Sequence, residues 1–180
     1  ETRFGFPDSQ SYWSLAERLA SGTEYEFAGS QAFRTPGYPL ILAPLFWTSN
    51  GDPPVLVARA IGALLGAAVV AGIGVLAWML FDETAGLCAA MAAALYPGAI
   101  AMSILILSEA VFCPLMIGQF IFWVAAWKSS RDRRMTAIAA LAGMFAAAAT
   151  LSRPSWLLFT PAAVFLSLAF SSSTQRKWKL

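Results

Sequence analysis

The sequence predicts an all-α polytopic membrane protein, a transmembrane helix bundle with interfacial amphipathic helices in the first outer loop. Of its 180 residues, 58% are hydrophobic and only 12% are charged, a mixture too apolar for a soluble domain of this size. The charges fall mostly in a few short stretches, and the runs between them are long enough to cross a bilayer. The chain therefore divides into an extracytoplasmic loop, residues 1–53, and a transmembrane helical module of about five spans, residues 54–180.

The outer loop begins with a predicted amphipathic helix. Asp8 is a candidate N-cap, and apolar residues then recur at helical spacing from Tyr12 to Leu19. Ser21 and Gly22 end this run. We expect the helix to lie at the membrane surface.

A second short element follows in the same loop. Residues 34–39 combine Arg34 with two prolines and a glycine, a composition typical of a rigid turn. The apolar run at residues 40–47 is too short to span a bilayer. It predicts a second interfacial or re-entrant helix.

The membrane module follows from the apolar runs. Residues 54–80 would extend about 40 Å as a helix and can span with some tilt. The next run contains Pro97 and Gly98, which predict that its helix breaks and that a short membrane-level segment follows. The remaining predicted spans are residues 110–127, residues 135–151, which are rich in alanine and favour close helix packing, and a short one at 156–170.

Basic residues predict the orientation of these spans. The loop at residues 128–134 has four basic residues against one acid, and the tail carries Arg176, Lys177 and Lys179. Both are expected to be cytoplasmic. Residues 1–53 carry six acids against three arginines, as expected on the opposite side of the membrane.

Several kinds of chemistry are excluded or disfavoured by composition. The chain has no histidine, so acid–base work depends on carboxylates. Its two cysteines lie in apolar runs and indicate neither a disulfide framework nor a metal. A net charge of +2 does not suggest nucleic acid. Asp8 and Glu109 could offer oxygen ligands to a divalent cation, but two are too few to predict a metal site.

Ionisable residues near the span ends fall on one face of this topology. Arg59, Glu109 and Arg153 are all predicted at the outer face, where the loop carrying Asp8 and Arg34 also lies. Charges close to the hydrocarbon are costly unless they are paired or used. Their gathering indicates a site there.

Four segments together resemble a known family of enzymes. They read DSQSYWSLA at residues 8–16, RTPGYP at 34–39, LSE at 107–109 and LSRP at 151–154. Their order and shared outward placement resemble the GT-C type membrane glycosyltransferases, most closely the branch of protein mannosyltransferases and lipid A aminoarabinose transferases. The similarity covers about residues 6–161, and because such enzymes have further membrane helices on both sides, the chain is expected to be an internal segment.

The resemblance implies transfer of a sugar from a polyprenyl-phosphate carrier to an unidentified acceptor at the outer face of a multi-pass protein, which we expect in the cell inner membrane. Asp8 is the candidate base that deprotonates the acceptor, and a single displacement would invert the anomeric centre. Arg34, Arg59 and Arg153 are candidates for binding the donor phosphate, because the guanidinium fork matches phosphate oxygens. Tyr12, Tyr38 and Glu109 are candidates for positioning the donor or the acceptor. No cofactor is predicted beyond the lipid-linked substrate.

Each candidate also has a structural interpretation. Asp8 could cap its helix, and Glu109 could complement the dipole of the third span. Arg153 could reach lipid headgroups, and Arg59 could pair with Asp52 or Glu109. Tyr12 and Tyr38 fit an interfacial aromatic belt, although Tyr12 could stack on a sugar.

Two other classes of function remain open from the sequence. A transporter or channel segment would explain the break at Pro97 and the charges at membrane level, but those charges are predicted at one face and none at mid-depth. A non-catalytic membrane scaffold could keep the fold of a transferase without its chemistry.

Overall fold

The computed structural model describes residue 4 and residues 6–31, 33–49, 51–129 and 132–174, except for the side chains of 132 and 167–174. These residues confirm the predicted all-α class. In chain order the elements are α1 Pro7–Ser21, β1 Glu26–Phe27, β2 Ser30–Gln31, α2 Gly37–Thr48, α3 Val55–Leu80, α4 Glu83–Ala94, α5 Pro97–Ser103, α6 Glu109–Lys128, α7 Asp132–Ser152, a 3₁₀ turn Pro154–Leu157 and α8 Phe159–Thr174. The basic tail and Arg131 lie outside the described residues.

Helix α1 begins two residues earlier than predicted. Its first residue is Pro7, its N-cap is Phe6, and no side chain caps it. Proline favours the first helical position because its φ is already helical and it has no N–H to satisfy. The prediction that Asp8 is the N-cap is therefore wrong; Asp8 lies in the first turn with its carboxylate free for another partner. Gly22 ends the helix in the left-handed conformation at φ 67°, as predicted.

A small hairpin follows α1, in a stretch that the sequence suggested only as polar. Strands β1 and β2 pair antiparallel, with Phe27 opposite Ser30. The two turn residues, Ala28 and Gly29, have φ values of 51° and 79°. Positive φ at both central residues is typical of a tight two-residue hairpin turn.

The outer helices pack onto the ends of the spans. Tyr12 and Trp13 of α1 share one buried core with Leu42 and Phe46 of α2. The same core continues into the membrane module, and its members there are Ala58, Ile106, Leu107, Ala110 and Val111. This shared core fixes the outer loop against the first turns of α3 and α6, which is where the candidate residues lie.

Among the described residues, three helices are long and apolar enough to cross a membrane, namely α3, α6 and α7 within its range Arg133–Ser152. Helices α4 and α5 are bent by 62° at their break and together could form a fourth span, which agrees with the break predicted at Pro97. The expected fifth span begins with a 3₁₀ turn, Pro154–Leu157, because Pro154 lacks the N–H that would continue α7, and α8 follows from Phe159.

Close contacts and polar contacts join the helices of the bundle. Small residues allow the helices to approach: a Cβ on Gly72 would meet Ile117, and a Cβ on Gly118 would meet the ring of Phe145. At the opposite end from the outer loop, Lys128 Nζ donates to the carbonyl of Met79. This contact satisfies a terminal carbonyl of α3 and favours the α3 dipole.

Candidate active site

Asp8 and Arg34 form an ion pair at the end of the bundle where α3 and α6 begin. Arg34 Nη2 lies 2.6 Å from Asp8 Oδ1, and the two side chains are 29% and 46% exposed. The guanidinium carbon of Arg34 also lies 5.5 Å from the ring centroid of Tyr12 and 4.9 Å from that of Phe33. Aromatic faces stabilise a cation at such distances. The carboxylate and the rings therefore hold the arginine in place.

Tyr12 and Tyr38 support this pair from the protein core. Their rings meet edge to face with centroids 5.4 Å apart, and both are buried. Burial, together with the nearby Tyr12 phenol, raises the pKa of Tyr38, so its phenol stays neutral at physiological pH. Neither ring belongs to a lipid-facing aromatic belt. The ring of Tyr12 contacts the guanidinium of Arg34, whereas the ring of Tyr38 packs against that of Tyr12.

Glu109 and Arg153 form a second ion pair. Arg153 Nη1 lies 3.2 Å from Glu109 Oε1, and Ser108 Oγ donates to Glu109 Oε2 at 3.2 Å. The guanidinium carbon of Arg153 lies 5.7 Å from the ring centroid of Phe112, one turn further along α6. Glu109 also lies in the first turn of its helix, where the helix dipole stabilises an acid. Glu109 therefore both complements the dipole of α6 and pairs with Arg153.

The two ion pairs are joined through the chain segments that carry their arginines. Thr35, which follows Arg34, donates its hydroxyl to the carbonyl of Ser152 at 2.9 Å, and Ser152 precedes Arg153. This bond keeps the α carbons of the two arginines within about 15 Å of each other, since consecutive α carbons are 3.8 Å apart. Gly37 makes the contact possible, because a Cβ there would lie 2.7 Å from the Leu151 carbonyl oxygen.

Arg59 is placed differently from the other candidates. It lies on an exposed face of α3, next to the buried Ala58. Of the two acids considered as partners of Arg59, Asp52 and Glu109, the latter is paired with Arg153. Within the described part of the chain, the structure brings Arg59 into neither ion pair.

An apolar cavity of about 590 Å³ opens beside the second ion pair. Its walls come from α3, α4, α5 and α6, and Glu109 and Cys113 line it on the α6 side. On α3 the lining runs from Gly62 to Ile73, a length of about 16 Å along a helix. Its volume is in the range of ligand-binding cavities. The arrangement combines charged groups at one end with an apolar chamber that extends towards mid-membrane.

The polar groups of the site retain unused hydrogen-bonding capacity. Arg34 Nε is buried and has no partner among the described residues, and the same is true of Ser9 Oγ beside Asp8. Buried polar atoms of this kind are rare in native proteins unless a ligand or solvent satisfies them. In the described part of the chain, no group of three acidic, cysteine or histidine side chains comes together in a way that could hold a metal.

Comparison with known proteins identifies the family. A family model described as "Dolichyl-phosphate-mannose-protein mannosyltransferase" matches residues 35–180, most of the chain. The chain belongs to this mannosyltransferase family. It is therefore an integral membrane protein of the glycosyltransferase type, as the resemblance implied. No curated protein and no solved structure matches the chain.

The family match divides the candidate residues into two groups. It includes Glu109 and Arg153 but begins one residue after Arg34, so the Asp8–Arg34 pair lies upstream of it. Thr35 is the first matched residue, and its hydroxyl makes the bond that ties the upstream pair to the rest of the mannosyltransferase fold. Sequence patterns singled out neither Thr35 nor Gly37 by itself; their position between Arg34 and a proline-rich turn was the available signal.

Proposed function

We propose that the protein transfers a sugar from a polyprenyl-phosphate donor to an acceptor at the extracytoplasmic face of the membrane, by a single inverting displacement. The observation that carries this proposal is the arrangement of the two ion pairs. Arg34 and Arg153 are tied together through Thr35 and Ser152, and Glu109, the ion-pair partner of Arg153, lines an apolar cavity. A lipid phosphate needs both features, cations for its headgroup and an apolar chamber for its chain.

Arg34 and Arg153 are the proposed contacts for the donor phosphate. Arginine can bind two phosphate oxygens with parallel N–H groups, and the buried Arg34 Nε has no hydrogen-bond partner among the described residues. During transfer, negative charge develops on the phosphate oxygen that leaves the sugar, and cations in a site partly shielded from water stabilise that charge. We leave Arg59 out of these contacts, because it is exposed and reaches neither pair.

Asp8 is the proposed general base. The acceptor oxygen or nitrogen attacks the anomeric carbon and forms the new glycosidic bond, while the bond from that carbon to the phosphate oxygen breaks. The electron pair of the broken bond stays on the polyprenyl phosphate, and the acceptor proton moves to the Asp8 carboxylate. Glu109 takes a positioning role, since its carboxylate orients Arg153 and lines the cavity. Tyr12 supports Arg34, and Tyr38 supports Tyr12.

The cavity is the proposed place for the first part of the polyprenyl chain. Its walls are formed by small and aliphatic residues of α3 and α4, which provide apolar contact without polar groups to desolvate. Glu109 at its wall places the charged end of the donor beside Arg153.

The direct test is transfer by the full-length protein in lipid nanodiscs. The family description names dolichyl-phosphate mannose and a protein acceptor, so polyprenyl-phosphate mannose and a serine-rich peptide are the first pair to try. We expect a glycopeptide whose anomeric configuration, read by NMR, is opposite to that of the donor. Transfer with retained configuration would contradict the mechanism, and transfer from a nucleotide sugar without any lipid donor would contradict the donor class.

A further inference from the structure

Gln119 is an uncharged polar residue in the middle of an apolar span. It is the one amide or charged side chain of α6 between its first and last residues, and it is 1% exposed. It lies ten residues after Glu109, which is about 15 Å along a helix and about half the hydrocarbon thickness. A buried amide at that depth is costly unless its hydrogen bonds are made. A structural or functional role is therefore needed to explain Gln119 at this position.

Both ends of the Gln119 amide are satisfied by the segment that follows Arg153. Trp156 Nε1 donates to Gln119 Oε1 at 2.8 Å, and Gln119 Nε2 donates to Thr160 Oγ1 at 3.2 Å. Trp156 belongs to the 3₁₀ turn and Thr160 to α8. The amide thus fixes the position of this segment along α6.

Aromatic contacts connect the indole to Arg153. Trp156 meets the ring of Phe112 edge to face with centroids 5.2 Å apart, and it stacks on Phe159 at 4.1 Å. The other contact of Phe112 is the guanidinium of Arg153, 5.7 Å from its ring centroid. In addition, the backbone N–H of Trp156 donates to the carbonyl of Arg153 at 3.1 Å.

Three residues of α6 therefore form a single row of contacts. Glu109, Phe112 and Gln119 are spaced by three and seven residues, which places them on one face of the helix. Arg153 and Trp156 contact this row in the same order from the outer end. A shift of the 3₁₀ turn along α6 would break the hydrogen bond between Trp156 and Gln119. The same shift would move Arg153 away from Glu109.

We propose that Gln119 is a positioning residue, which holds Arg153 at the donor phosphate by fixing Trp156. This inference rests on the proposed function, because it takes Arg153 to bind the phosphate. Hydrogen bonds between membrane helices contribute only modestly to stability. A buried amide can select one arrangement of neighbouring segments. We therefore assign Gln119 a role in fixing the position of the 3₁₀ turn along α6, rather than a role in overall stability.

The test measures binding of undecaprenyl phosphate to the full-length protein in nanodiscs. Gln119→Leu removes both hydrogen bonds at similar volume, and Trp156→Phe removes the indole N–H while keeping an aromatic ring. We expect each to weaken binding about three- to tenfold, the size of effect seen for residues that act through a neighbour. Trp156→Phe keeps the test informative if Gln119→Leu does not fold.

Thr160→Val is the matched control. It deletes the hydroxyl that accepts the other Gln119 hydrogen bond, on the side away from Arg153, with little change in shape. We expect it to lower the melting temperature about as much as Trp156→Phe does, while undecaprenyl phosphate binding stays within about twofold of the parent. An equal loss of binding in Thr160→Val would mean that Gln119 acts only on stability, and would overturn the inference.

A double-mutant cycle with Arg153→Ala separates this inference from the proposed function. If Gln119 acts through Arg153, Gln119→Leu has no further effect on binding in the Arg153→Ala background. Additive losses would overturn the positioning role while leaving Arg153 as a phosphate contact. Unchanged binding in Arg153→Ala alone would overturn the proposed contact itself, and the positioning role with it. In transfer assays we expect Gln119→Leu to raise KM for the donor more than it lowers kcat.

Discussion

Arg34 Nη2 and Asp8 Oδ1 lie 2.6 Å apart, so the proposed phosphate-binding arginine and the proposed base neutralise each other. A donor phosphate would compete with the Asp8 carboxylate for the same guanidinium. Binding of the donor would then release Asp8 for the acceptor proton. This competition implies that the donor binds before the acceptor is activated.

Asp8→Asn separates the two roles of the carboxylate. We expect transfer to fall about 10²- to 10⁴-fold, the usual contribution of a general base. We expect binding of undecaprenyl phosphate to stay the same or tighten up to about fivefold, because a competing, partly exposed ion pair has been removed. Transfer kinetics and lipid titrations in nanodiscs measure both effects. Glu17→Gln, on the exposed side of α1, is the control, and parental transfer by Asp8→Asn would exclude Asp8 as the base.

Arg34→Ala and Arg153→Ala test the phosphate contacts. Each is expected to weaken undecaprenyl phosphate binding about tenfold or more, because hydrogen bonds to charged groups are worth about 1.5–3 kcal/mol. Arg34→Lys should recover only part of the loss, since lysine cannot form the two-pronged contact. Arg18→Ala, an exposed arginine on α1, controls for net charge. Equal losses in Arg18→Ala would indicate a general surface-charge effect in place of a site.

Filling the cavity should affect long lipids selectively. Ala67 lines the cavity on α3, whereas its neighbour Ala68, which is exposed as well, lies outside the lining. We expect Ala67→Phe to weaken binding of undecaprenyl phosphate about tenfold by occupying the chamber, and to leave binding of a two-isoprene phosphate unchanged. Ala68→Phe should change neither affinity. If Ala67→Phe binds the long lipid normally, the chain does not lie in this cavity.

Gly37→Ala tests the junction between the two ion pairs. Its new Cβ would lie 2.7 Å from the Leu151 carbonyl oxygen and 2.8 Å from the carbonyl carbon, and a backbone neighbour cannot easily move away. We expect a loss of about 1–3 kcal/mol in the free energy of unfolding and weaker undecaprenyl phosphate binding. Gly143→Ala is the matched control, because its Cβ meets nothing within 4 Å. We expect thermal unfolding of Gly143→Ala to show no loss of stability. A normal melting temperature in Gly37→Ala would mean that the junction between the two ion pairs is loosely packed.

The sequence allowed the fold and the gathering of charged residues at one end of the bundle to be predicted, because both depend on local patterns. Apolar run length identified the spans, and the break at Pro97 followed from proline chemistry. The topology also grouped Asp8, Arg34, Glu109 and Arg153 at one end, and the structure pairs these four residues.

The partners of the charged residues and the burial of individual side chains could not be predicted in the same way. Which acid Arg153 or Arg59 would meet depends on helix rotation: Arg59 lies on the exposed face of α3, and only the packed structure shows this. The N-cap assignment failed because Pro7 starts α1 two residues earlier than an N-cap at Asp8 implies. The role of Gln119 was missed because its partners, Trp156 and Thr160, come from a segment that was expected to be a span of its own.

The most direct test of the account is a cryo-EM map of the full-length protein with undecaprenyl phosphate. The central prediction is that the phosphate lies between the guanidinium groups of Arg34 and Arg153, within hydrogen-bonding distance of both, and that the chain enters the cavity beside Glu109. A phosphate bound elsewhere, with the Asp8–Arg34 and Glu109–Arg153 pairs both unchanged, would contradict it.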